Sequence, residues 1–335
     1  MCLYPVKVRN KKYSANKKNG GVIPTALHGK MYTIGASCGN CIECRKMKGR
    51  EWRIRIGEEI RDRKDGKMVT LTFNDEWLNE LRLKVNEKRV QKLSGWDLDN
   101  KVCVYAVRQF SNRYIFERKR QKKNHKSLRR WLVTELGSKN DRIHMHGIVF
   151  TDMSNDDLEV IWKYGFVHIP KNGFVSDATV NYISKYFTKV DFEHKGYKPK
   201  MMVSQGMGAG YVERNKRTHG FKGEDTIQTY RTRQGVKLPL PMYYRQKLWN
   251  DEEREELWYH KILEDKQYVA GYELSESQEN FETEYSGALE SGRKRSERLG
   301  YGKRDKNWDM KRFDREGRMM REKWKKAKKD EKVNN

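Results

Sequence analysis

The sequence predicts an α+β protein: an antiparallel central sheet with helices packed on one side (a palm-like core), plus helical charged flanks. Three observations predict it. From Lys67 onward, β-rich and helix-period stretches come in the order β, α, β-hairpin, α, β, α. The two middle strands are separated only by the turn-like "GSKND", which makes them a hairpin. Charged residues make up 35% of the chain and hydrophobic residues 36%, a balance too polar for one compact core spanning all 335 residues.

Residues 1–35 are basic and rich in Gly and Asn, so they read as an extended arm. From Cys41 to about Lys64 a strongly charged stretch has helical character, and residues 1–66 together form an arm plus a cysteine-bearing helical segment. "KMVTLTF" (67–73) alternates as a strand and opens a core expected over 67–191. Asn100 to Gln121 reads as a helix, with Val102, Tyr105, Ala106, Phe110 and Tyr114 on one face. "RRWLVTEL" and "RIHMHGIVF" are the hairpin strands, followed by a short helix from about Asn155 to Lys163 and the strand "GFVHIP". "NYISKYFTKVD" (181–191) lies in the closing helix. Residues 192–250 are a core-associated extension, in which the prolines of "LPLPMYYRQKLW" (238–249) are expected to exclude helix. The tail divides by charge: residues 251–290 carry 3 Lys or Arg against 13 Asp or Glu, and residues 291–335 carry 18 against 8. Both halves read as solvated helix or disorder, with an acidic segment shielding a basic surface until DNA arrives as the sharper reading.

The formal net charge of +26 favours a polyanionic partner, with nucleic acid ahead of an anionic membrane. No apolar run approaches the length of a bilayer span, and the N-terminal residues lack the apolar core of a signal peptide. A protein acting in the cytoplasm, with no membrane partner, is expected. Lys and Arg are interleaved with Tyr, Trp and Phe, a mixture suited to phosphate contact and base stacking on single-stranded DNA and compatible with RNA.

"HMHG" sets His144 and His146 two apart in a strand, so both imidazoles point to one side of the sheet and Met145 to the other. If the hairpin turn centres near Lys139 and Asn140, Glu135 lies directly across from His144 and projects to the same face. Two surface histidines are the plain alternative. With the cross-strand carboxylate they become a metal seat, suited to Mg²⁺ or Mn²⁺ acting on phosphate oxygens and able to hold Zn²⁺ too.

In the closing helix, Ser176 is expected to cap and Asp177 to open the first turn, with Val180, Ile183, Phe187 and Val190 as the buried stripe. Tyr182, Lys185, Tyr186 and Lys189 occupy a different face. They either cover a partly exposed flank or act chemically. A phenol, with a pKa of about 10, is a weak nucleophile at neutral pH and needs nearby positive charge and a polarised electrophile. The two lysines and the histidine–carboxylate site would supply these.

At this point the motifs resemble a known family. "RIHMHGIVF" resembles the histidine–hydrophobic–histidine motif of HUH endonucleases, and "NYISKYFTKVD" the two-tyrosine motif of the replication initiators of microviruses. "MVTLTF" is similar to the first motif of rolling-circle initiators, and "CGNCIECR", "SQGMGAGY" and "LPLPMYYRQKL" to segments of gokushovirus-like initiators. The resemblance covers about residues 1–250. It implies that Tyr182 and Tyr186 are nucleophiles on DNA phosphodiesters, with His144, His146 and Glu135 holding the divalent metal. Lys185 would orient or neutralise phosphate, and Lys189 matches a recurrent lysine. It further implies nicking of origin DNA through a 5′-phosphotyrosine link, rejoining of the circle, and action inside a bacterial host. No "GxxxxGK[ST]" stretch occurs, so strand separation would fall to a host helicase and single-strand-binding protein.

Cys38, Cys41 and Cys44 stand at C-x2-C-x2-C spacing with Gly39 easing the turn. They favour a structural Zn²⁺, with Cys2 returning as fourth ligand; free thiols and an iron–sulfur cluster are the alternatives. Cys103 reads as a core residue. Two other functions stay open: a plasmid initiator or relaxase-type enzyme of the same fold, and a non-catalytic zinc-bearing nucleic-acid-binding protein.

Overall fold

A computed structural model of the chain describes residues 2–23, 33–123, 126–137, 141–170, 175–176, 178–182, 194 and 197–302. Two compact units emerge. One comprises Lys48–Gly220 and Ile227–Trp249; the other comprises Met1–Met47, Phe221–Thr226 and Asn250–Asn335.

The larger unit is built on a five-stranded sheet. Its strands are β3 (Gly66–Leu71), β4 (Arg129–Leu136), β5 (Ile143–Phe150), β6 (Val167–His168) and β7 (Met201–Val203). They lie in the order β6-β3-β5-β4-β7, and every neighbouring pair is antiparallel. Because side chains alternate along each strand, the sheet has two distinct faces. On one, Val69, Leu71, Leu132, Leu136, Ile143, Met145 and Val149 pack against three helices: α2 (Asp75–Glu87), α3 (Gly95–Arg120) and α4 (Asn155–Trp162). Each large side chain buried there stabilises by about 1.5–3 kcal/mol. The helices fit the seam by their spacing: α3 contributes Val102, Ala106, Val107, Phe110 and Tyr114, a period of three to four. Trp162 closes the layer, fully buried, donating its indole N–H to the Thr72 carbonyl at 2.9 Å and meeting Phe110 edge-on.

The second face is apolar over half its length. Trp131, Val133, Ile148 and Phe150 are covered by Ile56 and Ile60 of α1 (Ile42–Asp62), by Val180 and by Met207. Helix therefore meets both faces of the sheet, and the half of the second face bearing Glu135, His144 and His146 is polar. Gly147 follows the second histidine because a Cβ there would lie 2.0 Å from the Trp131 carbonyl oxygen and 2.8 Å from the Leu132 Cα.

Two local expectations change. α2 is an additional element, opened by Asn74, whose side chain accepts the Trp77 N–H at 2.9 Å, and anchored by Leu78 and Leu81 alone among mostly polar residues. "LPLPMYYRQKLW" is not extended throughout: β9 (Lys237–Pro239), paired with β8 (Thr229–Arg231), gives way to a helix over Met242–Leu248. Pro241 sits at the N-cap of that helix, where no intrahelical N–H is required, so the prolines mark its start instead of forbidding it.

In the smaller unit the expected extended arm carries β1 (Val6–Arg9), paired antiparallel with β2 (Thr33–Ala36). The acidic segment forms a helix over Asp251–Leu263, opened by a capping box between Asn250 and Glu253, and the hairpin of β10 (Gln267–Val269) and β11 (Tyr272–Leu274). A final helix, Phe281–Arg298, buries Phe281, Leu289, Gly292, Arg293 and Ser296. The expectation for residues 303–335 lies outside the described residues. Among the described residues, no helix is long and apolar enough to cross a membrane.

Candidate active site

The hairpin register brings Glu135 directly opposite His144. Both histidine Nε2 atoms converge on one carboxylate oxygen: Glu135 Oε2 lies 3.0 Å from His146 and 3.5 Å from His144. The two rings stand edge-on at 4.6 Å, and the three side chains are mostly buried, with 15–19% of their surface exposed.

The opposite ring nitrogens are held by the protein. His144 Nδ1 lies 3.1 Å from the Arg142 carbonyl, which can only accept, so Nδ1 carries the proton and Nε2 presents its lone pair. His146 Nδ1 lies 2.8 Å from Thr70 Oγ1, on the residue directly opposite it in β3. Such outer partners fix ring orientation and tautomer in metal-binding histidines. The donor atoms of Glu135, His144 and His146 all lie within 4.8 Å of one another, so this donor set fits a divalent cation.

The tyrosine helix meets the same side of the sheet. Val180 packs with Trp131, Val133, Ile148 and Phe150, the apolar continuation of the face that bears the histidines. Its start is fixed locally: the Val180 N–H bonds to the Ser176 carbonyl at 3.1 Å, and Thr179 Oγ1 accepts the Ser176 N–H at 3.1 Å. The second bond is the reciprocal half of a cap, in which a side chain in the first turn reaches back to the capping residue. Tyr182, two residues beyond Val180, is 45% exposed. Lys185, Tyr186 and Lys189, with Asp177, Ile183, Phe187 and Val190, lie outside the described residues.

Three residues beyond the expected set share this face. Thr70 is one. On the edge strand, Val167 turns into the core with the α2–α4 helices, so its neighbours Phe166 and His168 turn the other way; both are exposed, Phe166 by 59%. His168 is directly opposite Thr70. The period-two alternation of "TLTF" carries the signal for Thr70. The positions of Phe166 and His168 depend on strand order, which has no local signature.

The cysteines also come together. Sγ atoms of Cys2, Cys38, Cys41 and Cys44 all lie within 4.8 Å of one another. Cys103 is wholly buried in the α2–α4 core, as expected, and burial pushes its thiol well up.

"SQGMGAGY" has a structural role. Its Met207 is fully buried beneath the sheet, its carbonyl accepts from Arg55 Nε at 3.1 Å, and the Gly208 N–H donates to the buried Glu59 at 2.7 Å. Tyr244 of "LPLPMYYRQKL" donates its hydroxyl to the Gly208 carbonyl at 2.9 Å. Burial pushes the Tyr244 phenol well above its ordinary value, which keeps it a donor.

Residues 66–191 match the family of the replication-associated protein ORF2. The match opens at β3 and runs through the tyrosine motif. The replication-associated protein ORF2 of Spiroplasma virus 4 is 28% identical over 290 residues, covering 75% of this chain and 82% of its own. The replication-associated protein VP4 of Bdellovibrio phage phiMH2K is 23% identical over 245 residues, covering 66% of this chain and 69% of its own. No solved structure matches.

Proposed function

We propose that this chain, whose residues 66–191 place it with the family of the replication-associated protein ORF2, initiates phage DNA replication by nicking and rejoining single-stranded origin DNA. One observation carries the reading: Glu135, His144 and His146 converge on a sheet face against which the helix of the exposed Tyr182 also packs. The replication-associated roles by which the two viral relatives are named support it.

In this reading Tyr182 Oη gives up its proton and attacks the scissile phosphorus. The P–O3′ bond breaks, the departing 3′-oxygen takes up a proton, and the 5′-phosphate stays on the tyrosine. One phosphodiester is exchanged for another, so no external energy source enters. The freed 3′-hydroxyl serves as a primer. Tyr186 would cleave the regenerated origin after one circuit, and the newly released 3′-hydroxyl would displace the first tyrosine to close the circle. Lys185 and Lys189 would neutralise phosphate charge that builds during the attack. A Mg²⁺ or Mn²⁺ ion bound by Glu135, His144 and His146 would supply Lewis-acid polarisation of the phosphate. Thr70 and the Arg142 carbonyl hold the two imidazoles, and Phe166 offers an exposed ring to a neighbouring base. A host helicase and single-strand-binding protein would open the duplex in the cytoplasm of the host.

The test is a denaturing gel of the protein incubated with a labelled single-stranded origin oligonucleotide and Mn²⁺. Wild type yields a slow-migrating covalent adduct. Tyr182→Phe and Tyr186→Phe each alter its yield or cleavage position, and the double variant yields none. An adduct that survives in the double variant, or DNA bound by wild type with no adduct from any of several origin sequences, sinks the proposal. The second result would leave a non-catalytic nucleic-acid-binding protein.

A further inference from the structure

We propose that Cys2, Cys38, Cys41 and Cys44 hold a structural Zn²⁺, and that this ion clasps the two ends of the chain together in the smaller unit. This inference is independent of the nicking chemistry.

The sulfur geometry carries the first half. Cys38 Sγ lies 3.9 Å from Cys44 Sγ, and Cys41 Sγ lies 4.0 Å from Cys2 Sγ. These pairs share no atom, so they are opposite edges of one tetrahedron. A zinc–thiolate bond of about 2.3 Å gives a tetrahedral S···S edge of about 3.8 Å. A disulfide would need sulfurs at about 2.05 Å, which neither pair approaches. Backbone donors also point at the sulfurs: Cys38 N–H at Cys2 Sγ (3.2 Å), Cys41 N–H at Cys38 Sγ (3.3 Å) and Leu3 N–H at Cys41 Sγ (3.4 Å). N–H groups directed at sulfur stabilise thiolate over thiol, and thiolate is the form that binds metal. Cys41 and Cys44 are buried while Cys2 and Cys38 are partly open, which leaves a route for the ion.

The second half rests on what lies beside the ligands. Leu3, next to Cys2, is fully buried, and its carbonyl accepts from Arg293 Nε at 3.0 Å. Tyr4 donates its hydroxyl to Glu297 at 2.9 Å. Ile42, next to Cys41, donates its N–H to Ser296 Oγ at 3.3 Å, and Ser296 Oγ in turn donates to the Tyr301 carbonyl at 2.6 Å. Arg45, next to Cys44, lies over the Tyr301 ring at 4.3 Å. The helix over Phe281–Arg298 and its exit to Tyr301 are thus seated on immediate neighbours of three cysteines. Without the ion, four thiols packed together have nothing to hold them, and that seat is lost.

The experiment uses full-length protein purified under reducing conditions without chelator. Metal analysis is expected to give about one zinc per chain, lost in Cys38→Ser and Cys44→Ser and retained in Cys103→Ser. Replacement by Co²⁺ should produce sulfur-to-cobalt charge-transfer absorption and the strong visible bands of a tetrahedral thiolate site. Chelation should make residues 250–302 protease-sensitive while Lys48–Gly220 stays resistant. Variants that fail to fold do not blunt the test, because native wild type decides it. Purified folded protein with no zinc, four thiols reactive without chelator and no cobalt spectrum overturns the site, and bound iron in place of zinc overturns the choice of metal. Zinc whose removal leaves residues 250–302 as resistant as before overturns the clasp.

Discussion

At the scale of the residue, the candidate chemistry depends on three side chains and the groups behind them. A lone imidazole on a strand turns freely; His146 does not, because Thr70 holds its Nδ1 at 2.8 Å. Replacing Thr70 with Val keeps size and β-propensity but removes that partner. The expected outcome is a 10- to 100-fold loss of Mn²⁺ affinity, about the usual cost of losing such an outer partner, with thermal stability little changed. Isothermal titration with Mn²⁺ checks it, and unchanged affinity in Thr70→Val would mean that the threonine does not orient the ring. Most of this site was legible in the sequence. Two histidines separated by one residue in a strand share a face by geometry alone, and a short turn sets which residue of the partner strand stands opposite. Thr70 was not legible as a partner, because it reaches His146 from a strand more than 70 residues away.

At the scale of the element, the loop 204–211 illustrates how a glycine-rich motif can be structural. Gly208 has φ +72, and a Cβ there would lie 2.5 Å from the Arg55 carbonyl oxygen and 2.7 Å from the Tyr244 hydroxyl. The loop can approach α1 closely only because that position has no side chain. Gly208→Ala is expected to destabilise the larger unit by about 2–4 kcal/mol, combining left-handed strain with overpacking. Urea denaturation followed by circular dichroism measures this, and a shift below about 0.5 kcal/mol would refute the close-approach account. Elements with a strong apolar period, such as α3, were legible. α2 was not, since two buried leucines in a polar helix make a faint pattern, and the helix after Pro241 was misread because proline breaks helices in their interior but not at their first turn.

At the scale of the whole molecule, charge dominates. A chain of net charge +26 that binds DNA through phosphate contacts releases counterions, so its affinity should fall about 10³-fold between roughly 50 and 200 mM salt. Fluorescence anisotropy with a labelled single strand tests this, and Tyr182→Phe should leave the slope unchanged because the phenol carries no positive charge. A salt-independent affinity would contradict phosphate-led binding.

The sequence by itself determined the antiparallel hairpin, the pairing of Glu135 with His144, the face shared by the two histidines, and the helical character around Tyr182. All of these follow from periodicity, capping and turn length, which act between near neighbours. Only the tertiary structure decided that Cys2 meets Cys38, Cys41 and Cys44, that Leu3 is buried beside Arg293, and that Phe166 and His168 share the face of His146. Those meetings join residues far apart in the chain. They depend on which buried surfaces find each other, and local patterns carry no record of that choice.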